Sequence, residues 1–282
     1  MKPSIGPFKL YTKKPNSIRH GFLYTLEMEI PVRYEKKRTI RVFVPEDYSE
    51  DKKYPVMYMS DGQNIVDKYT TAYGDWNIGQ RQYELRKEGY PPFIVVGIDC
   101  PKNAMYRTLE YSFPLRPLKS ILDKSPKFKK ETQYPDQLYK FIVNTLKPLI
   151  DENFSTLKEK EFTACGGSSM GGTFSFGLIS SYPDIFGFCL SFSPAYFLYY
   201  KKEVFEMVDE RMKNMDKTNR FYLYTGTEGF EKRFLKRTID MNKYLVSHNI
   251  PCELSIDKKG LHHEKTWSKY FTKAIRFWFN KN

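Results

Sequence analysis

Apolar and polar positions along the chain follow two rhythms, and the change from one to the other predicts the fold. Leu23 to Ile30 and Thr39 to Val44 alternate apolar with polar side chains, the period of a strand buried on one face. A basic turn around Lys36-Lys37 joins them, so the pair reads as an antiparallel hairpin at the edge of a sheet. After Pro45 the alternation stops. Pro55-Val56-Met57-Tyr58-Met59, Phe93 to Asp99, Phe162 to Cys165, Phe186 to Phe192 and Phe221 to Tyr224 are short apolar runs, as expected of strands covered on both faces. Cys252 to Ile256 reads as the last strand. Helical spacing predicts helices over Gly79 to Lys87, Gln133 to Asn153, Glu231 to Val246 and Thr266 to Asn280. Another follows Cys165, with Phe174, Leu178 and Ile179 on one face. From Val56 onward strands and helices alternate. The expected fold is α/β, with a mostly parallel central sheet, helices on both faces and an N-terminal antiparallel hairpin.

Composition adds bounds. The 282 residues, 40% hydrophobic and 17% aromatic, suffice for one α/β domain spanning residues 1–282, with residues 1–50 as its edge hairpin. No apolar run approaches the roughly 18 residues of a membrane span, and the N-terminus has no apolar signal-like region. Cys100, Cys165, Cys189 and Cys252 are scattered beside predicted strands without metal-ligand spacing, and read as reduced core residues. Together with Met1 these features point to a cytoplasmic protein without metal or cofactor. The net charge of +13 is spread through the chain and no nucleic-acid motif accompanies it. It fits a cationic field that draws an anionic small molecule better than a nucleic-acid surface.

The chemistry centres on Gly167-Ser168-Ser169-Met170-Gly171, a G-x-S-x-G between a strand and a helix. That spacing suits a strained turn in which a side chain two positions before or after the central residue would collide with its neighbours. Ser169 satisfies the frame on both sides, whereas Ser168 has Met170 at its +2 position. Ser169 is therefore the candidate nucleophile. Gly/Ser-rich turns also occur without catalysis, so the reading depends on an acid and a histidine following in order. A second oxyanion-hole donor belongs after the first buried strand, in Ser60-Asp61-Gly62-Gln63-Asn64. The candidate donors are the backbone N–H groups of Gln63 and Met170.

The stretch Gly166-Gly167-Ser168-Ser169-Met170-Gly171-Gly172, with Tyr182-Pro183-Asp184-Ile185-Phe186 and Ser193-Pro194-Ala195 after it, resembles the putative-esterase family of α/β-hydrolases. That family includes feruloyl and acetyl-xylan esterases, siderophore esterases and S-formylglutathione hydrolases. The resemblance runs from about Pro55 to the C-terminus and implies an α/β-hydrolase fold. One branch carries His-Asp-Gly-Gln-Asn at the first turn, where this chain has Ser60. Arg107-Thr108-Leu109-Glu110-Tyr111-Ser112 is again similar to the family; Arg107 and Tyr111, with Trp76 and Tyr196, are candidate substrate-binding residues.

The resemblance also selects the histidine. His262 and His263 both follow the last strand, and the family's Gly-x-His-x-Glu-x-x-Trp pattern matches Gly260, His262, Glu264 and Trp267. His262 is then the general base, and Glu264 reads as the first charge of the last helix. For the acid the resemblance implies Glu228, directly after Gly226-Thr227, with Glu231 as a helix N-terminal charge and Asp257 as the alternative.

Two stretches remain open. Cys100 to Thr132 reads as a long irregular segment, a lid or wall over the site or a surface loop, strongly basic from Lys119 to Lys130. Tyr196, Phe197, Tyr199 and Tyr200 line an acyl pocket or pack in the core. The expected function is a cofactor-independent serine carboxylesterase with a Ser169-His262-Glu228 triad, acting on a small ester. A siderophore trilactone esterase, an acyltransferase to a sugar or other alcohol, and a non-catalytic scaffold are the alternatives.

Overall fold

The expected hairpin is present: β2 (Gly21–Glu29) pairs antiparallel with β3 (Lys37–Pro45), from Gly21 opposite Pro45 to Glu29 opposite Lys37. It does not hold the edge. A two-residue strand, β1 (Lys9–Leu10), pairs outside β2. The computed structural model describes residues 5–12, 17–66, 71, 74–118 and 133–280. The basic stretch Lys119 to Lys130 lies outside them.

On its other side β3 pairs antiparallel with β5 (Ile94–Ile98). Every later pairing is parallel, through β4 (Val56–Ser60), β6 (Thr163–Ser168), β7 (Phe188–Phe192), β8 (Arg220–Gly226) and β9 (Cys252–Asp257). The order across the sheet is β1-β2-β3-β5-β4-β6-β7-β8-β9. The chain thus leaves β4 in one direction to form β5 and returns past it to form β6. In open α/β sheets a crevice opens outside the carboxyl ends of the strands at such a reversal.

The short apolar runs are buried on both faces because two cores sandwich the sheet. Val56, Tyr58, Ile94, Val96 and Cys165 belong to one core, while Met57, Met59, Val95 and Ala164 belong to the other. Each large aliphatic side chain so buried contributes about 1.5–3 kcal/mol. The second core is closed by α1 (Ile78–Lys87), through Ile78 and Leu85, and by α7 (Glu264–Phe279), through Trp267, Phe271, Ile275 and Trp278. On the first core lie α2 (Ala104–Tyr111), α3 (residues 135–153), α4 (Met170–Ser181), α5 (Lys201–Met212) and α6 (Lys232–Ser247). Within α3 the turn Ile142–Leu146 is π-helical, just before Pro148. Proline has no N–H to give and crowds the preceding turn, and local widening is one way to accommodate it.

Two helices differ from the sequence expectation. Within the stretch read as irregular, α2 forms because the Asn103 side chain caps it, accepting from the Met105 and Tyr106 N–H groups at 2.9 and 3.4 Å. The other, α5, follows the aromatic cluster and was not anticipated. Among the described residues no helix is long and apolar enough to cross a membrane.

Candidate active site

Ser169 sits between β6 and α4 with φ 58° and ψ −125°, a backbone state that L residues rarely adopt. The glycines around it explain how the turn is tolerated. A Cβ on Gly167 would lie 2.1 Å from Ser60 Oγ and 2.7 Å from the Gly171 carbonyl oxygen. One on Gly171 would lie 2.2 Å from Ser60 Oγ and 2.9 Å from Asp61 Oδ2, and one on Gly172 would lie 2.8 Å from the Phe192 carbonyl oxygen. The elbow therefore packs directly on the turn after β4, and the small Ser60 side chain occupies the gap between the two glycines. The Ser169 N–H donates to the Phe192 carbonyl at 2.8 Å, which ties the strained residue to β7.

The turn after β4 is itself held from α2. Asp61, at φ 56°, donates its N–H to Tyr111 Oη at 3.2 Å. Its carboxylate accepts two parallel bonds from Arg107, from Nε at 2.7 Å and Nη2 at 2.8 Å. Gly62 is required next, since a Cβ there would lie 2.6 Å from the Gly97 carbonyl carbon. Gln63 follows in a short 3-10 turn and clasps Cys100, accepting from its N–H at 3.1 Å and donating Nε2–H to its Sγ at 3.2 Å. Met170 is the first residue of α4, so its N–H belongs to the set that a helix leaves without an internal partner.

His262 lies between β9 and α7. Its Nδ1 is 2.8 Å from Glu231 Oε1, within hydrogen-bond distance of that carboxylate. The ring stacks on Phe234 at 4.6 Å and meets the edges of Phe230 and Trp267 at 5.2 and 4.8 Å.

The structure thus pairs Glu231, not Glu228, with the histidine. Glu228 is solvent-exposed at the start of the 3-10 turn Gly229–Glu231. Gly229, at φ 55°, opens that turn, and Glu231 at its other end is fully buried. Its carboxylate accepts from the Gly226 N–H at 2.9 Å and from the Ser193 hydroxyl at 2.7 Å as well as from His262. The Thr225 hydroxyl adds a fourth donor at 3.4 Å, and a buried carboxylate so surrounded is not left unpaired. Ser193, at φ 45°, accepts in turn from Trp267 Nε1 at 3.1 Å. Neither Ser193 nor the Glu231 pairing was singled out from sequence. A local signal was Gly229, a residue suited to a tight turn two positions before the carboxylate that reaches His262.

Three of the four expected substrate contacts are corrected. Trp76 is 1% exposed, packed against Phe192, Trp267 and Phe271. Tyr111 and Tyr196 are buried, and Tyr196 stacks on Phe113 at 5.7 Å. Large aromatics in this chain fill the two cores, and only tertiary packing separates those from lining residues. Of the cluster after β7, Tyr199 is also core, Tyr200 is exposed, and Phe197 with Leu198 reaches a cavity. Arg107 lines the site while paired with Asp61.

Two cavities meet at Ser169. One, of 730 Å³, carries the polar and charged side chains of Asp61, Gln63, Asn64, Lys102, Arg107, His262 and Glu264 together with Pro101, Phe230 and Trp267. The other, of 430 Å³, includes Met170, Met105, Pro117, Phe197, Leu198 and Phe234. Ala104 and Phe230 border both. Glu264, the first residue of α7, accepts from Asn64 Nδ2 at 2.8 Å. Burial, with a smaller contribution from the Asp61 charge, pushes its carboxyl up to about 7. Burial likewise pushes the Cys100 thiol well above its usual range, so this cysteine beside the site is no thiolate nucleophile. His263 caps α7 instead of facing the cavity, its Nδ1 accepting from the Thr266 N–H at 3.2 Å. Among the described residues no three His, Cys, Asp or Glu side chains are grouped to hold a metal ion.

Known proteins resemble the chain along nearly its whole length. The uncharacterized protein YbbA of Bacillus subtilis (strain 168) is 26% identical over 263 residues, 87% of this chain and 94% of that protein. Among solved structures, the feruloyl esterase module from Clostridium thermocellum, complexed with sinapinate, superposes with a TM-score of 0.67 at 14% identity, covering 99% of this chain and 95% of the module. Siderophore hydrolase EstA from Aspergillus nidulans gives a TM-score of 0.64 at 16% identity, with 95% and 96% covered. At these identities the two superpositions establish the fold, that of the α/β-hydrolase esterases. Over residues 32–277 the sequence matches the family model described as Putative esterase, and the chain belongs to that family of esterases.

Proposed function

We propose that this esterase hydrolyses small carboxylic esters through an acyl-enzyme, with Ser169 as nucleophile, His262 as base and acid, and Glu231 as the carboxylate that orients the ring. The observation that carries the reading is the 2.8 Å contact of His262 Nδ1 with Glu231, on the cavity that Ser169 also lines. With Nδ1 committed, Nε2 takes the Ser169 hydroxyl proton as Oγ bonds to the ester carbon. The N–H groups of Gln63 and Met170 stabilise the negative oxygen that results. The bond to the alcohol oxygen then breaks, and the imidazolium returns the proton to the departing alcohol. Water repeats the sequence on the acyl-enzyme and releases the acid. A fluorophosphonate adduct located by tandem mass spectrometry tests the assignment. An adduct on Ser169 supports it, and one on Ser168, or none, rejects it.

A narrower reading, a siderophore trilactone esterase, has two observations in its favour. They are the net charge of +13 and the presence of Lys102 in the wall of the polar cavity. The likeness to EstA agrees with it. Turnover of a ferric trilactone well above that of acetyl and feruloyl esters would select it.

A further inference from the structure

The two cavities differ in one catalytic respect. His262 lines the polar one and is not among the residues of the apolar one, whereas Ser169 lines both. The departing alcohol must collect its proton from the imidazole, so its oxygen has to lie within hydrogen-bond reach of His262. That fixes the alcohol on the polar side. The acyl carbon is bonded to Ser169 Oγ, and its substituent has to leave in another direction. The other cavity at Ser169 among the described residues is walled by Met170, Met105, Pro117, Phe197, Leu198 and Phe234, with Thr108 and Ser112 as its further polar residues. We infer that the substrate straddles Ser169 with an apolar acyl group in this 430 Å³ cavity and a polar alcohol beside Asn64, Lys102, Arg107 and Glu264, Phe230 dividing the two.

The consequence is a substrate class, esters of an extended apolar acid with a polar alcohol, in place of acetyl esters. The cavity volume falls in the range of pockets that enclose small organic ligands. Each methylene that moves from water into the apolar wall should raise kcat/KM about fourfold. Phe230 is placed to set how far either half extends, since it borders both cavities and is 48% exposed.

The inference rests on the proposed serine mechanism, and the experiment separates the two. Purified enzyme is given p-nitrophenyl acetate, butyrate and hexanoate, and in parallel methyl and butyl hexanoate. The hexanoate-to-butyrate ratio of kcat/KM should be about sixteenfold for the wild type, two methylenes at the fourfold step. Leu198→Trp and Met105→Trp, which fill the apolar cavity from different elements, should each bring that ratio to unity or below. The methyl-to-butyl ratio for the hexanoates should stay within a factor of two of the wild-type value. Ratios cancel a general loss of activity, and two variants guard against one that folds poorly. If Ser169 is labelled by fluorophosphonate and acetate is turned over but chain length makes no difference, the placement is wrong and the mechanism stands. The same holds if the Trp variants alter alcohol preference alone. If no ester is turned over and Ser169 is not labelled, both fall.

Discussion

Glu231 Oε1 lies 2.8 Å from His262 Nδ1, joining the turn after β8 to the turn after β9 across 31 residues of sequence. The geometry makes Glu231→Gln the sharpest test of the site. Glutamine keeps the shape but presents a neutral group whose amide favours the wrong ring tautomer, a change that costs about 10⁴ in kcat in serine proteases with an aspartate in this place. A loss of about 10³–10⁴ in p-nitrophenyl ester turnover is expected. Glu228→Gln, on an exposed side chain, should stay within about threefold of wild type. A large loss on Glu228→Gln with a small one on Glu231→Gln would restore Glu228 as the acid.

Ser169→Ala should lose several orders of magnitude, because residues that act as a unit fail together. Ser168→Ala should retain most activity, since Ser168 ends β6 without the strained backbone of Ser169. Steady-state kinetics on both variants decides, and the reverse pattern would mean that the elbow has been read one residue out of frame.

His262→Ala and His263→Ala should separate chemistry from stability. The first removes the proposed base and should remove with it most fluorophosphonate labelling of Ser169. The second removes the cap of α7, at about 1 kcal/mol, and should lower Tm by a few degrees with the labelling rate largely retained. Equal labelling of wild type and His262→Ala would exclude His262 from the mechanism.

Arg107→Met should act through the turn that carries Gln63. It leaves the Asp61 carboxylate, 7% exposed, without its two parallel bonds, and a loss of about 3 kcal/mol in urea unfolding is expected. A fall in kcat greater than the rise in KM should accompany it, because the turn that carries Gln63, the proposed oxyanion donor, is displaced. Arg107→Lys restores the charge but not the fork, and should lie between the two. Unchanged stability together with unchanged kcat would dissociate the ion pair from the turn.

Glu264 makes folding stability depend on pH. Its carboxyl is raised from 4.5 to about 7 in the folded protein, so its contribution is complete below pH 4.5 and is lost as pH rises through 7. Between these values the unfolded chain gives up the proton while the folded chain holds it. Relative to Glu264→Gln, wild type should lose on the order of 3 kcal/mol between about pH 4 and pH 8. Parallel pH series of urea unfolding measure it, and curves of constant separation would show an ordinary carboxylate at this position.

Some of this protein is written in short-range order and was legible there. The period-two hairpin, the doubly buried runs and the helix faces follow from local hydrophobic spacing, which reports burial wherever an element is regular. The elbow was legible for a related reason: Gly167 and Gly171 mark a backbone state that the chain itself must adopt. His262 was selected by the pattern Gly260-His262-Glu264-Trp267, not by spacing alone.

The carboxylate partner of His262, the burial of Trp76, Tyr111 and Tyr196, and the two cavities at Ser169 were decided only by tertiary structure. Glu228 and Glu231 stand three residues apart on one turn, and which points inward depends on the Gly229 backbone and on donors from Gly226, Ser193 and His262. Trp76, Tyr111 and Tyr196 have the composition of pocket residues, yet the sandwich of two cores around the sheet buries them. The polar and apolar cavities join side chains from the turn after β4, from α2, from the cluster after β7 and from both turns near the C-terminal end. Sequence periodicity reports which face of an element turns inward. It carries no information on which elements meet at one end of the sheet, because strand order and packing set those distances.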